Sequence, residues 1–231
     1  MNSKNEIRVL VDRDGGCSRG RGIMFTSARG ITPESVNAMA RYGKGLVACC
    51  VEARRASELG LRVMPGSTRR RGMPIFLVSV EAASCAGTGI SAADRAETLN
   101  VLADPRSKAA DLCTPGHIMP CLVPENPSGE SLLSLAMNYM AEDTVGSIIA
   151  WCDILNDTGD IASADYCFEL AERHGLSAMH SGTTRQILSL GTLQRTSAPP
   201  RYSDAISSRY HLNDVPLSGV SLVDPMLSEV R

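Results

Sequence analysis

Two short segments concentrate residues with which this chain could do chemistry: Thr88-Gly89-Ile90-Ser91-Ala92-Ala93-Asp94-Arg95 and Pro115-Gly116-His117-Ile118-Met119-Pro120. Both use glycine, proline and small polar residues to set particular backbone shapes, and both lie where an apolar strand pattern gives way to a loop. His117, in its Pro-Gly setting, is either a loop histidine bonded to backbone or a group able to move protons near neutral pH. Ser91 can cap a following helix and Asp94 falls in the first turn, where the helix dipole favours an anion. Asp94 and Arg95 then read as a cap and an ion pair, or, with Thr88 and Ser91, as contacts to a substrate. A third group, Cys17, Arg19 and Arg21, sits in a glycine-rich loop over residues 12–22. A thiol beside guanidinium groups loses its proton more easily, which makes Cys17 a candidate nucleophile. Arg19 and Arg21 are either solvated loop charges or bidentate ligands for a carboxylate or phosphate.

The elements that must position these groups follow from hydrophobic periodicity. Residues 7–11 read as an early strand of a covered sheet, and Met24-Phe25 as a second. Thr32-Pro33 starts a helix that ends near Tyr42-Gly43, by capping and by the fixed φ of proline at the first helical position. Residues 45–51 form a buried strand, residues 52–59 a helix stopped by Gly60, and residues 75–80 the clearest strand of the chain. A helix runs from Ser91 to Leu102, a short strand covers residues 121–123, and residues 130–142 are helical, with Leu132-Leu133 as core or as pocket lining. A strand at 147–155, a helix at 163–174, a strand at 176–179 and a helix at 183–190 complete an α+β (mixed α/β) domain over residues 1–190. Residues 191–231 turn to Ser, Pro, Arg and Asp with single hydrophobes, the pattern of an extended or disordered tail.

The totals exclude several classes. With 231 residues and 43% hydrophobic content the chain can bury one substantial core. A net charge of −2 with scattered arginines gives no nucleic-acid footprint beyond Arg69-Arg70-Arg71. No apolar run reaches the roughly 18 residues of a membrane helix. Eight cysteines without a CxxC pair, behind a polar start at residues 2–6, lead us to expect reduced cytoplasmic thiols rather than disulfides or structural zinc. Cys49, Cys50, Cys85, Cys113, Cys121, Cys152 and Cys167 lie in mostly apolar contexts and read as buried small hydrophobes.

Taken in order, residues 88–95, Pro115-Gly116-His117 with Pro120, Gly43-Lys44-Gly45-Leu46-Val47, and Cys152-Asp153 followed by Asn156-Asp157-Thr158-Gly159 resemble the 3,4-dihydroxy-2-butanone 4-phosphate synthase family. The likeness runs from about Val9 to about Leu190. It implies a compact α+β fold, a homodimer with active sites at the subunit interface, and a magnesium-dependent, lyase-type conversion of ribulose 5-phosphate to a four-carbon phosphoketone and formate in the riboflavin pathway. His117 stands at the family's catalytic histidine, and Asp153 where the family has a catalytic Glu. The family's acidic loop, Asp-Arg-Glu-Asn-Glu-Gly-Asp, corresponds here to residues 14–23. One register puts Arg19 and Arg21 at its two Glu positions and another puts Cys17 and Arg19 there, and neither supplies a carboxylate. The family's Arg-x-Gly-His-Thr-Glu block reads Ser128-Gly129-Glu130-Ser131-Leu132-Leu133 here, without histidine. Both protein ligands to magnesium are then missing, and a cation facing that position would repel the metal.

The reading this supports is a biosynthetic enzyme of specialised metabolism that uses metal-independent acid–base chemistry through His117 and Asp153 on a small anionic substrate, sugar-phosphate-like or a carboxylate. No cofactor, nucleic acid or membrane is expected. Two other readings stay open: a non-catalytic dimeric homologue that senses a ligand or serves a structural role, and the family's usual reaction.

Overall fold

The structure is a computed structural model that describes residues 6–13, 20–65, 74–123, 131–141 and 148–186. The described strands are β1 (Arg8–Asp12), β2 (Arg21–Ser27), β3 (Ala48–Cys50), β4 (Ile75–Phe76), β5 (Val80–Ala82), β6 (Leu112–Leu122), β7 (Ile149–Asp153) and β8 (Ser177–His180). Between them lie the helices α1 (Pro33–Ala38), α2 (Ala53–Glu58), α3 (Ala92–Ala103), α4 (Leu132–Ala141) and α5 (Ala164–Arg173). Three helices begin as the sequence dictates. The hydroxyls of Thr32, Ser91 and Ser163 accept the N–H of the third residue beyond, satisfying a donor the helix cannot pair internally.

One mixed sheet takes the order β4-β6-β3-β7-β2-β1-β8, with β5 paired to β6. Period-two alternation sorts its side chains into two cores. Val9, Val11, Met24, Cys49, Ala150 and Cys152 face the helices α1, α2, α3 and α5. Leu10, Ile23, Phe25, Ala48, Cys50, Ile149 and Trp151 face α4, the one helix on that side among the described residues. Leu132 and Leu133 are buried in that second core, so they are helix packing. No helix among the described residues is long and apolar enough to cross a membrane.

The mixed α+β class stands, and three local expectations need correction. The apolar run 75–80 is two short strands, β4 and β5, laid along the same partner β6, because Leu77 leaves the strand pattern to bridge Val63 while its N–H still reaches the Pro120 carbonyl. Pro115-Gly116-His117 lies inside the eleven-residue strand β6 rather than in a loop before a short strand. Helical backbone resumes at Ser181, two residues before the expected start. Cys17, Arg19, the loops they occupy and the tail 191–231 lie outside the described residues.

Candidate functional site

The face covered by α4 is where the chemistry collects. On β6 the side chains of Met119 and Cys121 belong to that face while Ile118 is buried on the other, so His117 projects with them. On β7, Ile149 and Trp151 put Asp153 on the same face, and on β2, Ile23 and Phe25 put Arg21 there. β3 lies between β6 and β7, with Ala48 opposite both Met119 and Trp151. Two residues back along this register, His117, Leu46 and Asp153 fall at nearly one level. Two strand spacings then separate His117 from Asp153, about 10 Å of backbone. Leu46 between them is 57% exposed, so this end of the face is uncovered by the described residues.

Close backbone approach explains the glycines that flank this row. A Cβ on Gly45 would lie 2.4 Å from the Asp153 carbonyl oxygen, and one on Gly43 would lie 2.6 Å from the Cys152 sulfur. Lys44 between them is left-handed (φ 60°) and its Nζ meets Asp157 Oδ1 at 2.6 Å, with the Tyr166 hydroxyl donating to the same oxygen at 3.2 Å. Asn156 Oδ1 accepts from the N–H groups of Thr158 and Asp160. The segments Gly43-Lys44-Gly45 and Asn156-Asp157-Thr158-Gly159 therefore clamp the strand ends that present Asp153.

Burial raises the Asp153 carboxyl above its usual range, and the positive charge of Arg21 works against that rise. His117 is not joined to Asp153. Its Nδ1 instead lies 3.3 Å from Glu81 Oε2 on β5. Sequence reasoning missed Glu81, although the alternation Val78-Ser79-Val80-Glu81 signals it by placing a lone carboxylate on the polar side of a strand. It also missed Asp12, at the end of β1 on the same face. Asp12 is buried, stands opposite Arg21 and accepts the Ser181 hydroxyl at 2.7 Å.

The remaining expected contacts divide. Thr88 is exposed beside Gly89, whose own backbone packs against Glu81 and His117. Ser91 is the cap of α3, donating nothing to that role but accepting the Asp94 N–H at 3.0 Å. Asp94 is buried, with its carboxylate under Gly87, and Arg95 is half-buried with its Nε shielded and without a hydrogen-bond partner. Of the seven described cysteines, all free, Cys113 is exposed and Cys85 half-buried, contrary to the expected burial, because both lie at the outer β5–β6 edge. The other five are buried, and burial pushes the Cys152 and Cys167 thiols up to about 12.

A mixed sheet with helices on both faces, gathering a histidine, carboxylates and an arginine at an end that the described residues leave uncovered, defines an α+β protein. The family model for 3,4-dihydroxy-2-butanone 4-phosphate synthase matches residues 3–183, and the chain belongs to that family. It is 34% identical over 160 residues to the 3,4-dihydroxy-2-butanone 4-phosphate synthase of Oceanobacillus iheyensis, covering 67% of this chain and 75% of that protein. To the protein of the same description from Neisseria meningitidis serogroup B it is 31% identical over 173 residues, 73% of this chain, and it spans only 47% of that longer protein. Among solved structures, that of the Candida albicans synthase superposes with a TM-score of 0.66 at 26% identity, covering 80% of this chain and 91% of that one. Another, described as a complex with two magnesium ions, shares the fold at a TM-score of 0.70 and 21% identity, covering 83% and 92%.

Proposed function

We propose that this chain is an enzyme, a diverged member of its family that performs lyase- or isomerase-type acid–base chemistry on a small anionic substrate. The observation that carries the reading is the row on the α4 face: His117 and Asp153 at one level about 10 Å apart, with Arg21 beside Asp153. A substrate of a few carbons fits between two such groups. His117, as a base, takes a proton from the carbon next to a carbonyl. The electron pair moves to the carbonyl oxygen, and that oxygen takes the proton of Asp153, whose carboxyl burial keeps protonated to higher pH. Reversal on the neighbouring carbon restores both groups. Arg21 pairs with the anionic end of the substrate, phosphate or carboxylate, in the bidentate geometry of a guanidinium.

The donors present do not fit a magnesium site of the family's kind. A hard cation of this size takes oxygen ligands in octahedral array. The acidic-loop segment offers arginine and cysteine where the family has Glu, and residues 128–134 offer no histidine. No step above runs through a metal. A second copy of the chain fits against the uncovered end, where Leu46 (57% exposed) and Ile90 (55% exposed) would otherwise face water; sedimentation as a monomer at micromolar concentration would remove the dimer from the reading.

The identity to the Oceanobacillus iheyensis protein over three-quarters of its length favours a second reading, the conversion of ribulose 5-phosphate to 3,4-dihydroxy-2-butanone 4-phosphate and formate. One assay separates the two. Purified chain with ribulose 5-phosphate and Mg²⁺ should release no formate, whereas His117-dependent formate release would establish the second reading in place of the first.

A further inference from the structure

We propose that Glu81 is a positioning residue for His117: its carboxylate fixes the imidazole as the Nδ1–H tautomer and turns Nε2, the free lone pair, toward the uncovered face. This rests on the reading of His117 as the base, and it supplies what that reading lacks, a group that orients the ring.

Three features of the backbone bring the pair together. Along β5 and β6 the register breaks between Val80 and Glu81: Val80 faces Ile118, whereas Glu81 faces Cys113. Continued from Val80–Ile118, the antiparallel ladder brings Glu81 beside His117; residues 114–117 of β6 then bulge before pairing resumes at Cys113, so the two side chains meet at the break, 3.3 Å apart. A Cβ on Gly116 would lie 2.0 Å from the Val80 carbonyl carbon, so the looped segment lies flat on β5 only because that residue has no side chain. Gly89, at φ +80°, closes the arrangement from the other side. A Cβ there would fall 1.8 Å from Glu81 Oε2 and 2.9 Å from His117 Nδ1. The two glycine-containing segments of the sequence thus converge on a carboxylate that neither contains. β5 itself is bolted to α3 by the Ala82 N–H, which donates to the buried Thr98 hydroxyl at 3.0 Å, while that hydroxyl donates to the Asp94 carbonyl at 2.8 Å.

The chemistry then assigns the proton. An ionised carboxylate only accepts, so the contact at 3.3 Å requires hydrogen on Nδ1, and a neutral ring keeps its lone pair on Nε2. A base held by a third group in this way is the arrangement general-base catalysis uses. Asp153, two strands away, cannot do this and remains available as the separate acid. The side chains of His117 and Glu81 are 41% and 25% exposed, where an ion pair contributes little to stability, so orientation is the effect that such a contact has left to supply.

Long-range ¹H–¹⁵N correlation spectra of the imidazoles in the full chain test this without substrate, with His117 assigned by its disappearance in His117→Gln. Wild type should show the Nδ1–H pattern for the neutral His117 ring. Glu81→Ala should lose that pattern in favour of Nε2–H, and Glu81→Gln, whose amide can accept or donate, should give a mixture. A wild-type ring in the Nε2–H form overturns the proposal whether or not any variant folds. An unchanged Nδ1–H pattern in a folded Glu81→Ala protein overturns it as well. If the tautomer follows Glu81 but His117→Ala leaves turnover unaltered, the catalytic reading of His117 falls and the positioning assignment stands.

Discussion

At the scale of single residues, Asp153 offers the cleanest electrostatic test. Burial raises its folded-state pKa above the ordinary 3.8 and Arg21 opposes the rise. A carboxyl whose folded pKa is raised contributes stability that is fully present below its unfolded pKa and is lost as pH rises through the folded pKa. Asp153→Asn, which cannot ionise, should therefore melt close to the parent in mild acid and above it at neutral pH, the gap opening as pH climbs past the ordinary carboxylate range. A melting difference that is flat with pH would refute the burial argument. Thiol reactivity makes a second residue-scale test. Native protein treated with an aromatic disulfide at pH 8 should label Cys113 at once among the described cysteines and leave Cys152 and Cys167 unreacted until unfolding, because burial holds their thiols near 12; rapid labelling of Cys152 would show that β7 opens. The resemblance marks His117 and Asp153 position by position, so the sequence could name them as candidates. Glu81 was overlooked: the alternation Val78-Ser79-Val80-Glu81 puts it on the polar side of a strand, but His117 lies 36 residues on and comes beside it only through the β5–β6 pairing.

At the scale of elements, the junction of β5, β6 and α3 decides whether the histidine is presented at all. Gly116→Ala puts a methyl group into the Val80 backbone, which has no flexible end to move aside. Overpacking of this kind costs about 1–3 kcal/mol, read from denaturant midpoints, and should disturb the His117 ring resonances as well. Thr98→Val keeps the shape but removes the acceptor of the Ala82 N–H in a fully buried position. A loss of about 1–3 kcal/mol is the ordinary consequence of leaving such a donor unpaired. If Thr98→Val is neutral, the bolt between β5 and α3 is not what holds Glu81 in place. The same junction explains why residues 75–80 misled. Continuous apolar character reports burial, but it does not report where a strand bends to follow a curling partner, and the Leu77–Val63 bridge is a long-range event. Helix starts were easier, because Thr32, Ser91 and Ser163 act within three residues of themselves.

At the scale of the whole molecule, the two faces of the sheet carry different duties. Among the described residues, four helices pack on one face, while α4 covers part of the other and leaves the His117–Asp153 end uncovered. Periodicity made the mixed α+β class legible, but the strand order depends on long-range pairings such as Ala48 of β3 with Met119 of β6 and with Trp151 of β7. That layout, with Arg21 on the open face, predicts how ligands should act on stability. A ligand that binds only the folded chain raises stability by RT ln(1 + [L]/Kd), about 2.7 kcal/mol at a hundredfold excess over Kd. A small phosphate or carboxylate sugar should therefore raise the melting temperature by several degrees in the absence of metal, and Arg21→Ala should abolish most of the shift. Mg²⁺ alone, or a chelator, should leave the melting curve where it was, because the sequence has arginine and cysteine where the family has Glu and no histidine in residues 128–134, and a hard cation needs oxygen ligands. A magnesium-induced rise that vanishes with chelator would mean that oxygen donors converge somewhere on this face, and the metal-independent reading would give way to the family's usual one.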